Sequence, residues 1–310
     1  HQVTPLLDMP ALAAELGIAR LVLKDERARM GLGSFKALGA AHAIAREARA
    51  TGAVDLREAL AGRVYVTASA GNHGLSVAAG ARLFGARAVI FLAGTVPETF
   101  ARRLGDMGAE VVRAGDDYEE SMQAAAQTAR SEGWTLLSDS SWPGYIELPL
   151  RVMEGYLQLA AEAANQIGTP PSHILLQAGV GGLAGAVAAH ARRVWGQAPQ
   201  IIVVEPGAAP ALMASIRAGK VVDTQGPASC MGRLDCKTPS LIALNGLARD
   251  ADLFVTLSEQ VAQQGAALLA SHGLPTTPSG GAGVAALLTG LHLPPEAQVL
   301  AIVSEGSEEG

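Results

Sequence analysis

Short β-branched, apolar runs alternate with stretches of helical spacing along nearly the whole chain, and this rhythm narrows the possible folds more than any other feature. Val64 to Thr67 reads as a buried strand, and Leu75 to Phe84 as a helix after a Gly-Asn-His-Gly turn. Ala88 to Leu92 is the next strand. The helix Glu98 to Met107 is started by Thr95 and Pro97 and stopped by Gly108. Glu110 to Val112 is a strand, Asp117 to Ser131 a helix with acidic residues at its positive end, and Trp134 to Leu137 a strand. A second unit begins near Leu150, with a long helix to Ala164. There His173 to Gln177, Ile201 to Val204 and Val299 to Val303 read as strands. Gly182 to Trp195, Ala209 to Ala218 and Glu259 to Ser271 read as helices. A β-α-β-α order predicts parallel sheets with crossover helices, an α/β architecture.

Composition removes several functional classes. The 310 residues carry 23 basic and 29 acidic side chains, a net charge of −6, so a nucleic-acid-binding surface is not expected. Two cysteines cannot staple a chain of this length. Cys230 and Cys236, six residues apart in a predicted loop, lack zinc-site spacing and read as reduced thiols. No metal site is expected. No apolar run reaches the roughly 18 residues of a membrane helix, and no signal-peptide pattern stands out, so a cytoplasmic protein is expected. The 36 glycines are the unusual number, because each costs chain entropy unless its backbone freedom is used.

Much of that glycine lies in three loops. Gln177-Ala178-Gly179-Val180-Gly181-Gly182-Leu183-Ala184-Gly185 follows a strand and opens a helix, where free backbone N–H groups can cradle a phosphate. A dinucleotide site is a second reading, since Gly179, Gly181 and Ala184 fit G-x-G-x-x-A and Glu205 closes the next strand. A tight packing turn without a ligand is a third. Ser69-Ala70-Gly71-Asn72-His73-Gly74 offers backbone donors and an amide, suited to a small carboxylate, with His73 open to a capping or core role. Pro278-Ser279-Gly280-Gly281-Ala282-Gly283 says little alone. Lys36, in Gly33-Ser34-Phe35-Lys36-Ala37-Leu38-Gly39, sits among small and apolar neighbours and suits Schiff-base chemistry, although by base rate a snorkelling helix lysine is the favoured reading. Lys24, in Leu23-Lys24-Asp25-Glu26, reads as a salt-bridged surface residue.

Together these segments resemble the fold type II pyridoxal-phosphate enzymes, the tryptophan-synthase-β and threonine-dehydratase superfamily. Ser-Phe-Lys comes early, Ala-Gly-Asn-His-Gly next, Gly-Val-Gly-Gly in mid-chain and Ser304-Glu305-Gly306 late, with Thr4-Pro5-Leu6 as lead-in. Within it, Phe35 to Gly39, Gln177 to Gly181 and Ser138-Asp139-Ser140-Ser141-Trp142-Pro143-Gly144-Tyr145 are most similar to the diaminopropionate ammonia-lyase group. The resemblance implies two three-layer α/β domains with largely parallel sheets: a large cofactor-binding domain from 1–38 and 146–310, and a small substrate-binding domain from 39–145. It implies a cytoplasmic homodimer acting on a small amino acid, with no nucleic-acid or membrane partner.

It also implies roles. Lys36 would hold pyridoxal 5'-phosphate as a Schiff base and later move the α-proton. Phe35 would pack beside the ring and Asn72 would bond its phenolic oxygen. Gly179, Val180, Gly181, Gly182 and Leu183 would hold the phosphate, and Ser304 would face the pyridine nitrogen. Ser69, Ala70, Gly71, Asn72 and His73 would bind the substrate carboxylate. Asp139 would contact the β-leaving group as proton donor or positioner, unless it is a turn or N-cap residue. The expected reaction is α,β-elimination from a small L-amino acid such as 2,3-diaminopropionate, giving a 2-oxo acid and ammonia. Serine or threonine dehydration, β-replacement, a nicotinamide-dependent oxidoreductase using the Gly179 loop, and a non-catalytic relative are the alternatives. Two departures bear on substrate. Ala70 stands where related racemases carry serine and diaminopropionate ammonia-lyases carry aspartate, so only L-configured substrates are expected. Thr277 stands where threonine dehydratases often carry glutamate.

Overall fold

The computed structural model describes residues 2–307. In chain order the elements begin with β1 (Leu6–Asp8), α1 (Pro10–Glu15), β2 (Arg20–Asp25), α2 (Lys36–Ala50), β3 (Val64–Ala68) and α3 (Asn72–Leu83). Next come β4 (Arg87–Leu92), α4 (Glu98–Asp106), β5 (Glu110–Arg113), α5 (Tyr118–Glu132), β6 (Thr135–Leu136) and α6 (Glu147–Ile167). The remainder is β7 (His173–Gln177), α7 (Gly182–Trp195), β8 (Gln200–Pro206), α8 (Ala211–Ala218), α9 (Leu241–Asp250), β9 (Leu253–Leu257), α10 (Glu259–Ser271), α11 (Ala282–Ala285) and β10 (Gln298–Val303).

These elements form two units. One contains residues up to Phe35, Trp142–Gly144, and Tyr156 onward; the other contains Lys36–Ser141 and Tyr145–Gly155. The first unit holds a six-stranded sheet in the order β1-β2-β10-β7-β8-β9, parallel throughout except for β1 against β2. The second holds a four-stranded parallel sheet, β5-β4-β3-β6. Helices cover both faces of such sheets, so central strands carry continuous apolar runs. All five residues of β3 are buried, as are all but the first of β4, β7, β8 and β10. In the first unit Leu175, Ile202, Val204, Val299 and Ala301 lie in one apolar cluster with Val284 and Ala285 of α11. In the second, Val64, Val66, Val89 and Phe91 pack with Ala125 and Ala129 of α5.

The strand β2 corrects the sequence reading of Lys24. Its side chain is fully buried, with Nζ 2.8 Å from Glu162 Oε2, 2.8 Å from Gln166 Oε1 and 2.7 Å from the Thr4 carbonyl oxygen. Buried Arg29 joins it, reaching Glu162 Oε2 and Glu26 Oε1 at 2.7 Å each. The cluster looks like surface in the sequence because Glu162 sits on α6, 138 residues away.

Candidate active site

Lys36 opens α2, and its ammonium is paired with the Asp139 carboxylate. Neither side chain is free in water: Lys36 is 20% exposed and Asp139 18%. Asp139 follows β6, in a turn clamped by Tyr145. That hydroxyl donates to the Leu136 carbonyl at 2.7 Å and accepts from the Ser138 N–H at 3.0 Å. Burial pushes the Asp139 carboxyl up, but the Lys36 charge more than offsets it, joined by His73 where that ring is protonated. The carboxyl is thus held well below the usual carboxylate range and is ionised at any ordinary pH.

The loop Ser69 to Gly71 joins β3 to α3, which begins at Asn72. Gly74 has to be glycine, because a Cβ there would lie 2.1 Å from the Ser69 carbonyl oxygen. The loop therefore folds tightly onto the first turn of α3, whose N–H groups and dipole favour an anion. His73 is in this turn, 5% exposed, with Nε2 2.9 Å from the Leu137 carbonyl oxygen.

In the first unit, β7 runs through Gln177 into Ala178 to Gly181 and then α7. Gly181 caps that helix with φ of +99°, a conformation side-chain-bearing residues rarely adopt. The Ser240 N–H fixes the loop through the Val180 carbonyl at 3.0 Å. Ser304 follows the neighbouring strand β10 and is 5% exposed. Gln177 ties the two together: its Nε2 donates to the carbonyls of Gly280 and Ile302, both at 2.9 Å, and the Gly280 carbonyl also accepts the Ser304 N–H. The Ser304 carbonyl in turn accepts the Phe35 N–H at 3.1 Å, one peptide bond before Lys36. The Phe35 ring packs edge-on against Tyr156, 4.9 Å between centroids. Glu305 is turned elsewhere, its carboxylate accepting from the Thr277 hydroxyl with Arg233 Nε 3.8 Å away.

Glu205, the strand-end residue of the dinucleotide reading, is fully buried. Its oxygens accept the N–H groups of Leu212 and Met213 at 2.7 and 2.8 Å, capping α8. That occupies the carboxylate a ribose would need and removes the oxidoreductase alternative. Burial pushes its pKa up to about 7 despite the two N–H donors. The folded protein thus holds this proton more tightly than the unfolded chain. The associated stability, about 3 kcal/mol, is complete below pH ~4.5 and lost as pH rises through ~7. Glu205→Gln is expected to flatten thermal stability between pH 5 and 7, measured by melting across a pH series.

Neither cysteine is in a disulfide. Burial pushes Cys230 up to about 11, which makes it a poor nucleophile. Among the described residues, no cluster of three or more His, Cys, Asp or Glu side chains is arranged for a metal ion, and no helix is long and apolar enough to cross a membrane.

The sequence profile of the pyridoxal-phosphate dependent enzymes matches residues 1–305. The chain belongs to that family. It is 32% identical over 318 residues to diaminopropionate ammonia-lyase of Escherichia coli K12, a match covering 97% of this chain and 80% of that one. It is 29% identical over 296 residues to a serine dehydratase-like protein of Mus musculus, covering 94% and 83%. The structure of the Escherichia coli diaminopropionate ammonia-lyase in complex with an aminoacrylate-PLP azomethine reaction intermediate superposes with a TM-score of 0.89 at 31% identity, over 99% of this chain and 85% of that one. The fold is that of the type II pyridoxal-phosphate enzymes, and pyridoxal phosphate is the cofactor. The residues present fit it: a helix N-terminus opened by Gly181 suits a phosphate dianion, and Lys36 supplies an amine beside a carboxylate.

Proposed function

We propose that the protein catalyses α,β-elimination from a small L-amino acid with a β-amino group, L-2,3-diaminopropionate, releasing ammonia and a 2-oxo acid. The observation that carries this reading is the Lys36–Asp139 pair, a candidate base in contact with an ionised acceptor. Bound pyridoxal phosphate supplies the electron sink that acidifies the substrate's α-proton.

The chain's residues divide the remaining tasks. Lys36 would hold the cofactor and, once displaced, would take the proton from Cα. Gly179 to Leu183 would hold the phosphate through α7's first N–H groups, and Asn72 would bond the ring's phenolic oxygen. Ser69 to His73 bind the α-carboxylate through backbone donors. Ser304 presents a neutral hydroxyl to the ring nitrogen, a reading supported by the engagement of Glu305 with Thr277. A neutral partner leaves that nitrogen largely unprotonated and weakens the sink. Elimination tolerates this, because the leaving group departs as the carbanion forms. Asp139, already ionised, acts as acceptor and positioner for the β-ammonium rather than as a proton donor. The released enamine takes up water and loses a second ammonia.

Ala70 offers no proton acceptor on the opposite face of the substrate, so the D-isomer should be inert. The test is an assay of 2-oxo acid and ammonia from L- and D-2,3-diaminopropionate, L-serine and L-threonine. Turnover of the L-diamine alone is expected. Turnover of L-serine or L-threonine instead would favour the dehydratase reading, and comparable turnover of both diamine isomers would sink the stereochemical one. The reading includes a cytoplasmic homodimer, and sedimentation of the purified protein checks the dimer.

A further inference from the structure

His73 holds a buried polar atom that has no partner among the described residues. Its Nε2 lies 2.9 Å from the Leu137 carbonyl oxygen, which can only accept, so the ring proton is on Nε2. Burial holds the ring below its ordinary pKa, and Lys36 adds to this while Asp139 opposes it. The neutral ring therefore presents Nδ1 as a bare acceptor, and that nitrogen is buried without a hydrogen bond. Leaving such an atom unpaired is costly, and a ligand that supplies the missing donor removes that cost.

The surroundings indicate which donor. Leu137 is two residues before Asp139, so the bond from Nε2 ties the ring to the segment carrying that carboxylate. Lys36 neutralises Asp139. Asp139 and Lys36 lie near enough to act electrostatically on the His73 ring, so once Lys36 is engaged with the cofactor the neighbourhood holds two acceptors, a carboxylate and an imidazole nitrogen. A hydroxyl supplies one hydrogen and can satisfy one of them. An ammonium supplies three and can satisfy both.

We propose that His73 Nδ1, with the Asp139 carboxylate, receives the substrate's β-ammonium and so selects an amino over a hydroxyl leaving group. This inference rests on the elimination reading above. No proton passes through the ring. The Cα proton goes to Lys36, the freed electron pair forms the Cα–Cβ double bond, and the Cβ–N pair stays with nitrogen as ammonia leaves. Because the two acceptors hold the ammonium before the bond breaks, their contribution falls mainly on KM.

Two near-isosteres separate this role from a purely structural one. His73→Asn keeps an acceptor near Nδ1 but cannot reach Leu137. His73→Gln keeps a donor that can reach Leu137 but has no acceptor at Nδ1. The measurement is kcat/KM of the holoenzyme for L-2,3-diaminopropionate relative to β-chloro-L-alanine, whose leaving group has no hydrogen to donate. His73→Leu and His73→Gln are expected to lower this ratio about 10- to 100-fold, the worth of one charge-assisted hydrogen bond, mainly through KM. His73→Asn is expected to keep most of it. In the cofactor-free protein, long-range proton–nitrogen NMR should show His73 as the neutral Nε2–H tautomer. An Nδ1-protonated ring, an unchanged ratio in His73→Leu, or rescue by Gln rather than Asn would overturn the inference. A yellow wild-type enzyme that processes β-chloro-L-alanine but not L-2,3-diaminopropionate would sink the substrate reading itself, and the inference with it.

Discussion

Lys36→Ala is expected to give a folded, colourless protein with elimination reduced roughly 10²- to 10⁴-fold, the usual worth of a positioned acid–base group. The purified wild-type enzyme should be yellow, with a near-visible band that borohydride bleaches by fixing the Lys36–cofactor link. The variant has no amine to form that link. The fold should survive, because Lys36 is the first residue of α2, where alanine is a good helix former and a cation opposes the helix dipole. The main structural cost falls on Asp139, which loses the partner that holds its carboxyl low. Lys36→Arg separates these effects: it keeps a cation beside Asp139 but cannot form the covalent link. It should be colourless and inactive yet melt close to the wild type, while the alanine variant melts lower. A Lys36→Ala protein that kept both its borohydride-sensitive band and its activity would remove Lys36 from the mechanism.

The frame around Lys36 was legible in the sequence because its signals are local. Strands β3, β4, β7, β8 and β10 are buried on both faces, so their apolar runs are short and uninterrupted, and the glycine loops mark where strands pass into helices. Strand β2 was hidden because Lys24 and Asp25 interrupt its apolar run. The charge that makes Lys24 tolerable there lies 138 residues along the chain. The same limit applies at the candidate site. Lys36, His73 and Asp139 each stood out by residue type, but the pairing of Lys36 with Asp139 spans 103 residues and the His73–Leu137 bond 64. Ring tautomer and carboxylate charge follow from those contacts and from no local pattern. The capping role of Glu205 was hidden for a related reason: its partners are only seven and eight residues away, but a strand-end glutamate gives no sign that it folds back to cap the following helix.

Glu162→Gln is expected to be the most damaging single change to stability, costing about 3–5 kcal/mol, although it lies outside the proposed chemistry. Native Glu162 and Glu26 balance Lys24 and Arg29 in a cluster with almost no solvent contact. The substitution keeps the shape and leaves two buried cations facing one carboxylate. Burial pushes the Glu162 carboxyl up, but hydrogen bonds from Arg29 and Lys24 outweigh it and hold the pKa at about 2. Its stabilisation is therefore present above pH ~4.5 and lost as pH falls toward ~2, an effect of about 3 kcal/mol. In the variant the pH response on the alkaline side should change. Burial already depresses the Lys24 ammonium, and Glu162 pulls it back up. Without Glu162, Lys24 in the folded state should shed its proton more readily than in the unfolded chain, so raising the pH toward ~10.5 should recover stability. Arg29 cannot respond in that way. The double variant Lys24→Met with Glu162→Gln should be more stable near neutral pH than Glu162→Gln alone, because Arg29 and Glu26 again balance. Denaturant melts of the two singles and the double at pH 7 and pH 10 measure all of these terms. Additive losses with no alkaline recovery would show that the cluster contributes through packing rather than charge.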